Sequence, residues 1–128
     1  MPSKNALALA ALTIVAAFAV HVPGAAQAAP KGIKPGEIVA GVCDTVPKDG
    51  TCAEIVVVDK AKKGESLKAL KRLCPKAKAA AACPAAKQIG TCRVLKDVIN
   101  HYYSTGGKVW EIDGAKAECE KNLGHWVE

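Results

Sequence analysis

The residues in this chain best suited to chemistry are six cysteines, Cys43, Cys52, Cys74, Cys83, Cys92 and Cys119, and two histidines in the C-terminal half, His101 and His125. Clustered thiols serve as metal ligands, redox centres or disulfide partners, and spacing separates these uses. A structural zinc site wants C-x2-C spacings with histidines close by. Here neighbouring cysteines have at least eight residues between them, and neither histidine stands in ligand spacing with them. No metal and no cofactor is expected, and the same spacing excludes a C-x-x-C redox enzyme. An even number of cysteines points instead to a disulfide framework. Hydrolytic catalysis has no organising motif: no G-x-S-x-G, H-E-x-x-H or phosphate loop occurs. His101, beside Tyr102 and Tyr103 in an expected strand, and His125, beside Trp126, read as packing or surface residues. No catalytic residue is assigned, and a non-enzymatic protein is expected.

The cysteines also imply a compartment. Lys4 precedes a run from Ala6 to Val20 that carries no charge, and Ala26-Gln27-Ala28 follows the helix-breaking Pro23-Gly24 pair. This pattern is that of a cleaved signal peptide over residues 1–28. The run is too short to span a membrane, for which ~20 residues are needed. No Arg-Arg pair precedes it and no cysteine directly follows it. The general secretory route to the periplasm or the extracellular space is therefore expected, without a lipid anchor or a transmembrane helix in the mature form.

Beyond the leader, 17 basic side chains face 12 acidic ones, and they are unevenly spread. Lys60, Lys62, Lys63, Lys68, Lys71, Arg72, Lys76 and Lys78 share their stretch with a single acid, Glu65. That asymmetry predicts a cationic face, which is either a solvated surface or an attractor for an anionic surface or protein partner. No specific nucleic-acid signal accompanies it, and a monomer is expected. Large apolar side chains are scarce, since Tyr102, Tyr103, Trp110 and Trp126 are the only aromatics after the leader. A core built mainly from Val, Ile, Leu and Ala needs covalent staples at this size. The tryptophans read as core residues. Of the adjacent tyrosines, one must face outward if they lie in a strand.

An internal repeat organises the chain: Cys43 to Cys52 and Cys83 to Cys92 share the pattern C-x6-G-T-C. Each is followed by a further cysteine, Cys74 or Cys119, late in a segment that reads as helix. Ala53–Val58 is a β-branched run and predicts a strand. Ser66 is positioned to cap a helix carrying Leu67, Leu70, Leu73 and Cys74 on one face, which Pro75 stops. A second helix is predicted from a cap at Asp113 through Leu123, with Gly124 as its terminator. Residues 93–104 fit either an amphipathic helix or strands, and the aromatic pair followed by a turn-like run favours strands. Six cysteines allow fifteen connectivities. If each module staples its strand to its own helix, Cys52 pairs with Cys74 and Cys92 with Cys119, leaving Cys43 for Cys83.

Ala82-Cys83-Pro84, Gly90-Thr91-Cys92, Tyr102-Tyr103-Ser104, Cys119 and Gly124-His125-Trp126 together resemble the A-C-P, G-x-C, Y-Y-S, C, G-x-W pattern of uncharacterised small exported bacterial cysteine-rich proteins. This resemblance implies no activity, and the first module here is richer in lysine than that pattern. The expected fold is a small disulfide-rich α+β domain of two tandem strand-plus-helix modules, 29–75 and 76–128. The expected role is binding or structural, with a cationic envelope-active effector or a secreted enzyme inhibitor as alternatives.

Overall fold

The computed structural model describes residues 31–128; the expected signal peptide lies outside the described residues. Five strands form one antiparallel sheet: β1 (Ile38–Asp44), β2 (Thr51–Val57), β3 (Gln88–Arg93), β4 (Val98–Tyr103) and β5 (His125–Val127), in the order β1-β2-β4-β3-β5. A four-residue helix, α1 (Val46–Asp49), links β1 to β2. A 3-10 turn, Lys60–Lys62, leads into α2 (Lys63–Leu73), and α3 (Ile112–Lys121) precedes β5. The fold is thus α+β. Residues 93–104 contain the β3–β4 turn and β4, in line with the strand expectation.

β2 and β4 lie at the centre because they carry the chain's best strand formers, Ile55-Val56-Val57 and Val98-Ile99 with Tyr102-Tyr103. Their alternation sends side chains to two different coverings. On one face, α2 lays Leu67 and Leu70 over Gly41 and Ile55; a side chain at Gly41 would come within 2.7 Å of Leu67 Cδ1. Farther along the same face, α3 packs Ala115 and Cys119 against Cys92 and Tyr102, with Trp110 and Trp126 closing the sides. The opposite face is covered by coil. Residues 31–37 cross it, tied down by Arg93, which donates to Gly32 O at 2.8 Å and to Glu37 Oε1 at 2.6 Å. The segment after α2 pairs at Val42 and Lys78, flanking the outer edge of β1, and then brings Cys83 and Pro84 over Cys52 and Tyr103.

Three disulfides staple these layers: Cys43–Cys74, Cys52–Cys83 and Cys92–Cys119. The expected Cys52–Cys74 and Cys43–Cys83 pairs are corrected, and strand parity is the reason. In the β1–β2 register Cys43 opposes Ala53 while Cys52 opposes Asp44. Opposed residues share a face, so the two cysteines point to opposite sides of the sheet. Cys43 therefore meets Cys74 at the end of α2, and Cys52 meets Cys83 in the coil cover. One sheet runs through both repeat segments, with β4 pairing directly to β2.

The repeated Gly-Thr-Cys does two different jobs. Gly50 adopts φ +64° and ends α1, whereas Gly90 lies in β3, where a Cβ would fall 2.0 Å from the Trp126 ring. Local expectations shift likewise. α2 begins at Lys63 rather than after a Ser66 cap, because Asp59 caps the preceding 3-10 turn through Ala61 N at 2.9 Å. Leu73 is 88% exposed instead of lying on the buried stripe. α3 follows Glu111, with Asp113 inside its first turn, and Leu123 rather than Gly124 takes the left-handed conformation.

Candidate functional site

Two features of different character stand on opposite faces of the sheet. The first is the basic segment. Lys60 and Lys62 project from the 3-10 turn and are exposed, as are Lys68, Lys71 and Arg72 on α2, while Lys63 is half-buried. Helical spacing groups Lys68, Lys71 and Arg72 on the face turned away from Leu67 and Leu70. Among the described residues none of these six cations forms an ion pair. Exposed Leu73 directly follows Arg72, at the rim of a hollow of about 420 Å³. Pro47, Pro75 and the Cys43–Cys74 bridge line that hollow, with Asp44, Asp49, Lys48 and Lys76 at its polar positions.

The second feature lies beneath the coil cover. Glu54 on β2, His101 on β4 and Thr91 on β3 are at most 2% exposed and share the face of Cys52. Glu54 Oε1 accepts the Cys83 amide N–H at 2.6 Å. His101 Nδ1 lies 3.0 Å from Thr91 Oγ1 and 2.8 Å from Gln88 Nε2. The remaining two atoms, Glu54 Oε2 and His101 Nε2, are 3.1 Å apart, within ion-pair distance, yet neither makes a hydrogen bond among the described residues. Buried polar groups left in that state are uncommon and costly. The Cys52–Cys83 bridge adjoins them, and Glu54, Cys83 and His101 bring their donor atoms within 4.8 Å of one another.

No protein family, curated protein or solved structure matches the chain.

Sequence reasoning identified the basic residues and missed the buried cluster. His101, expected in a packing or surface role, is instead inside a polar network. The available signal was Glu54, a lone carboxylate between Cys52 and Val56 at alternate positions of a β-branched strand, where an acid needs a buried partner. The tyrosines also depart from expectation, since both are buried. Tyr102 packs edge-on to Trp110 with centroids 5.0 Å apart, while Tyr103 donates to Pro84 O at 2.6 Å on the other face. Burial pushes the phenol of each above its ordinary value, with Glu118 adding to the effect at Tyr102 and Glu54 then Asp44 at Tyr103. Trp110 and Trp126 are half-buried, and Trp110 Nε1 donates to Asp49 O at 3.0 Å.

Proposed function

We propose that this is an exported, non-enzymatic binding protein that presents the outer face of α2 to an anionic lipid surface. The observation that carries the reading is the set of exposed cations Lys60, Lys62, Lys68, Lys71 and Arg72, with no ion pair among the described residues to offset them. Exposed Leu73, the last residue of α2, adds an apolar contact of the kind that enters a headgroup layer. The Cys43–Cys74 bridge supports the reading by fixing the end of α2 to the sheet, so that the charges form a rigid face.

Export is supported by three disulfides, which persist in oxidising compartments. No described helix is long and apolar enough to cross a membrane. The non-enzymatic reading is supported by the closure of the Glu54–His101 pair from solvent.

The test is co-sedimentation with phosphatidylglycerol vesicles, using phosphatidylcholine vesicles as reference, across a salt series. Each basic residue near an anionic surface contributes about 1 kcal/mol, so a K68Q/K71Q/R72Q variant loses affinity on the order of 100-fold. Wild-type binding falls steeply as salt rises. Equal binding to both vesicle types, or retention of affinity by the triple variant, contradicts the proposal. A salt-tolerant stoichiometric complex with a protein would favour an inhibitor instead.

A further inference from the structure

We propose that Glu54, Cys83 and His101, with Cys52 as fourth donor, form a latent zinc site that the Cys52–Cys83 disulfide holds closed. Zinc binds thiolate, imidazole and carboxylate donors at about 2.0–2.3 Å in a tetrahedron, which sets donor-to-donor distances of roughly 3.3–3.8 Å. Glu54 Oε2 and His101 Nε2 are already 3.1 Å apart, and Glu54, Cys83 and His101 each bring one donor atom within 4.8 Å of the others. Glu54 Oε2 and His101 Nε2 are also without a hydrogen-bond partner among the described residues. An ion between them would satisfy both.

The surroundings have the character of an outer ligand shell. Thr91 Oγ1 and Gln88 Nε2 lie 3.0 and 2.8 Å from His101 Nδ1 and fix the ring; the Gln88 amide nitrogen can only donate, so Nδ1 accepts and Nε2 carries the hydrogen that faces Glu54. The Cys83 amide holds the second oxygen of Glu54 at 2.6 Å. In the disulfide form neither sulfur is a thiolate, so only the imidazole and the carboxylate remain as donors.

A dithiol reductant changes this. It delivers two electrons to the Cys52–Cys83 bond, its two protons end on the separated sulfurs, and it closes to its own cyclic disulfide. Binding of Zn2+ then expels the two thiol protons to water, the imidazole hydrogen passes from Nε2 to Nδ1 where Thr91 Oγ1 accepts it as the Gln88 amide turns away, and the ion is held by two thiolates, one imidazole and one carboxylate. Cys83 lies in the coil between Ala77 and β3, so the sulfurs can part by moving that coil while the sheet keeps its register.

The decisive experiment uses the full chain with Cys52→Ala, which leaves Cys83 as a thiol without any reduction step. Cobalt and zinc are added to the oxidised variant and read by absorption and native mass spectrometry. The expected result is one metal per chain, with a charge-transfer band from the Cys83 thiolate to cobalt and tetrahedral ligand-field bands, a water taking the place of the Cys52 sulfur. Adding His101→Asn or Glu54→Gln weakens binding at least about tenfold, while His125→Asn leaves it unchanged. Wild type takes no metal at this site until a dithiol has been applied and removed, after which zinc protects Cys52 and Cys83 from alkylation.

If Cys52→Ala is unfolded without metal, zinc restores its circular dichroism. A folded variant that takes up no cobalt overturns the proposal. So does cobalt bound without the charge-transfer band or indifferent to His101→Asn, and so does an unfolded variant that zinc fails to refold.

Discussion

Glu54 and His101 show how strongly one residue's partner sets its contribution. Each is buried, and each has one polar atom answered and one facing the other. Removing one member of such a pair leaves the other desolvated, and the cost exceeds that of losing a surface contact. His101→Ala is expected to lower stability by about 3 kcal/mol in urea unfolding with an unchanged m-value. A loss under about 0.5 kcal/mol, the range of an ordinary surface change, would mean that the pair contributes nothing. The buried tyrosines make a prediction in pH. Their phenols stay protonated in the fold beyond the ordinary value of 10.0, whereas an unfolded chain ionises there. Above that value the unfolded state binds fewer protons, so stability falls as pH rises. The urea midpoint at about pH 11 should lie below that at about pH 8. An equal or higher midpoint would contradict the burial of Tyr102 and Tyr103.

At the scale of elements, α2 depends on few contacts for its place. Of its residues only Leu70 is buried, and Leu67 is half-buried, so the Cys43–Cys74 bridge carries much of the attachment. That bridge spans 31 positions, and removing it with Cys43→Ala and Cys74→Ala is expected to cost roughly 3–4 kcal/mol. Hydrogen exchange should quicken in α2 well before β2 and β4; unchanged protection of α2 would contradict this anchoring. The elements legible in the sequence were those with strong local signals. β2 shows in its β-branched run, α2 in its leucine spacing, and β4 in its aromatic pair. β1 went unread because Ala40-Gly41 interrupts its apolar run, and that glycine is there to admit Leu67. β5 is only three residues long and exists because Trp126 packs where Gly90 makes room. The basic residues were legible because charge does not depend on fold. The buried cluster was not, because the covering segments 31–37 and 79–87 are coil and carry no periodicity from which a second buried face could be inferred.

The described residues form a single sheet with helices on one side and coil on the other, each covering fastened by a disulfide or two. Two bridges, Cys43–Cys74 and Cys92–Cys119, hold α2 and α3 to the helical side, and Cys52–Cys83 holds the coil to the other. This division places the basic face of α2 toward solvent and keeps Glu54 and His101 covered. Had Cys52 joined Cys74, β2 would present that sulfur to the α2 side, and the alternation of the strand would turn Glu54 and Val56 to that side as well. Both the basic face and the buried cluster therefore depend on the connectivity, and its sharpest test is a peptide map of the non-reduced protein, digested at acidic pH to prevent exchange. The expected fragments join Cys43 to Cys74, Cys52 to Cys83 and Cys92 to Cys119, with no free thiol. Fragments joining Cys52 to Cys74 and Cys43 to Cys83 would contradict this architecture.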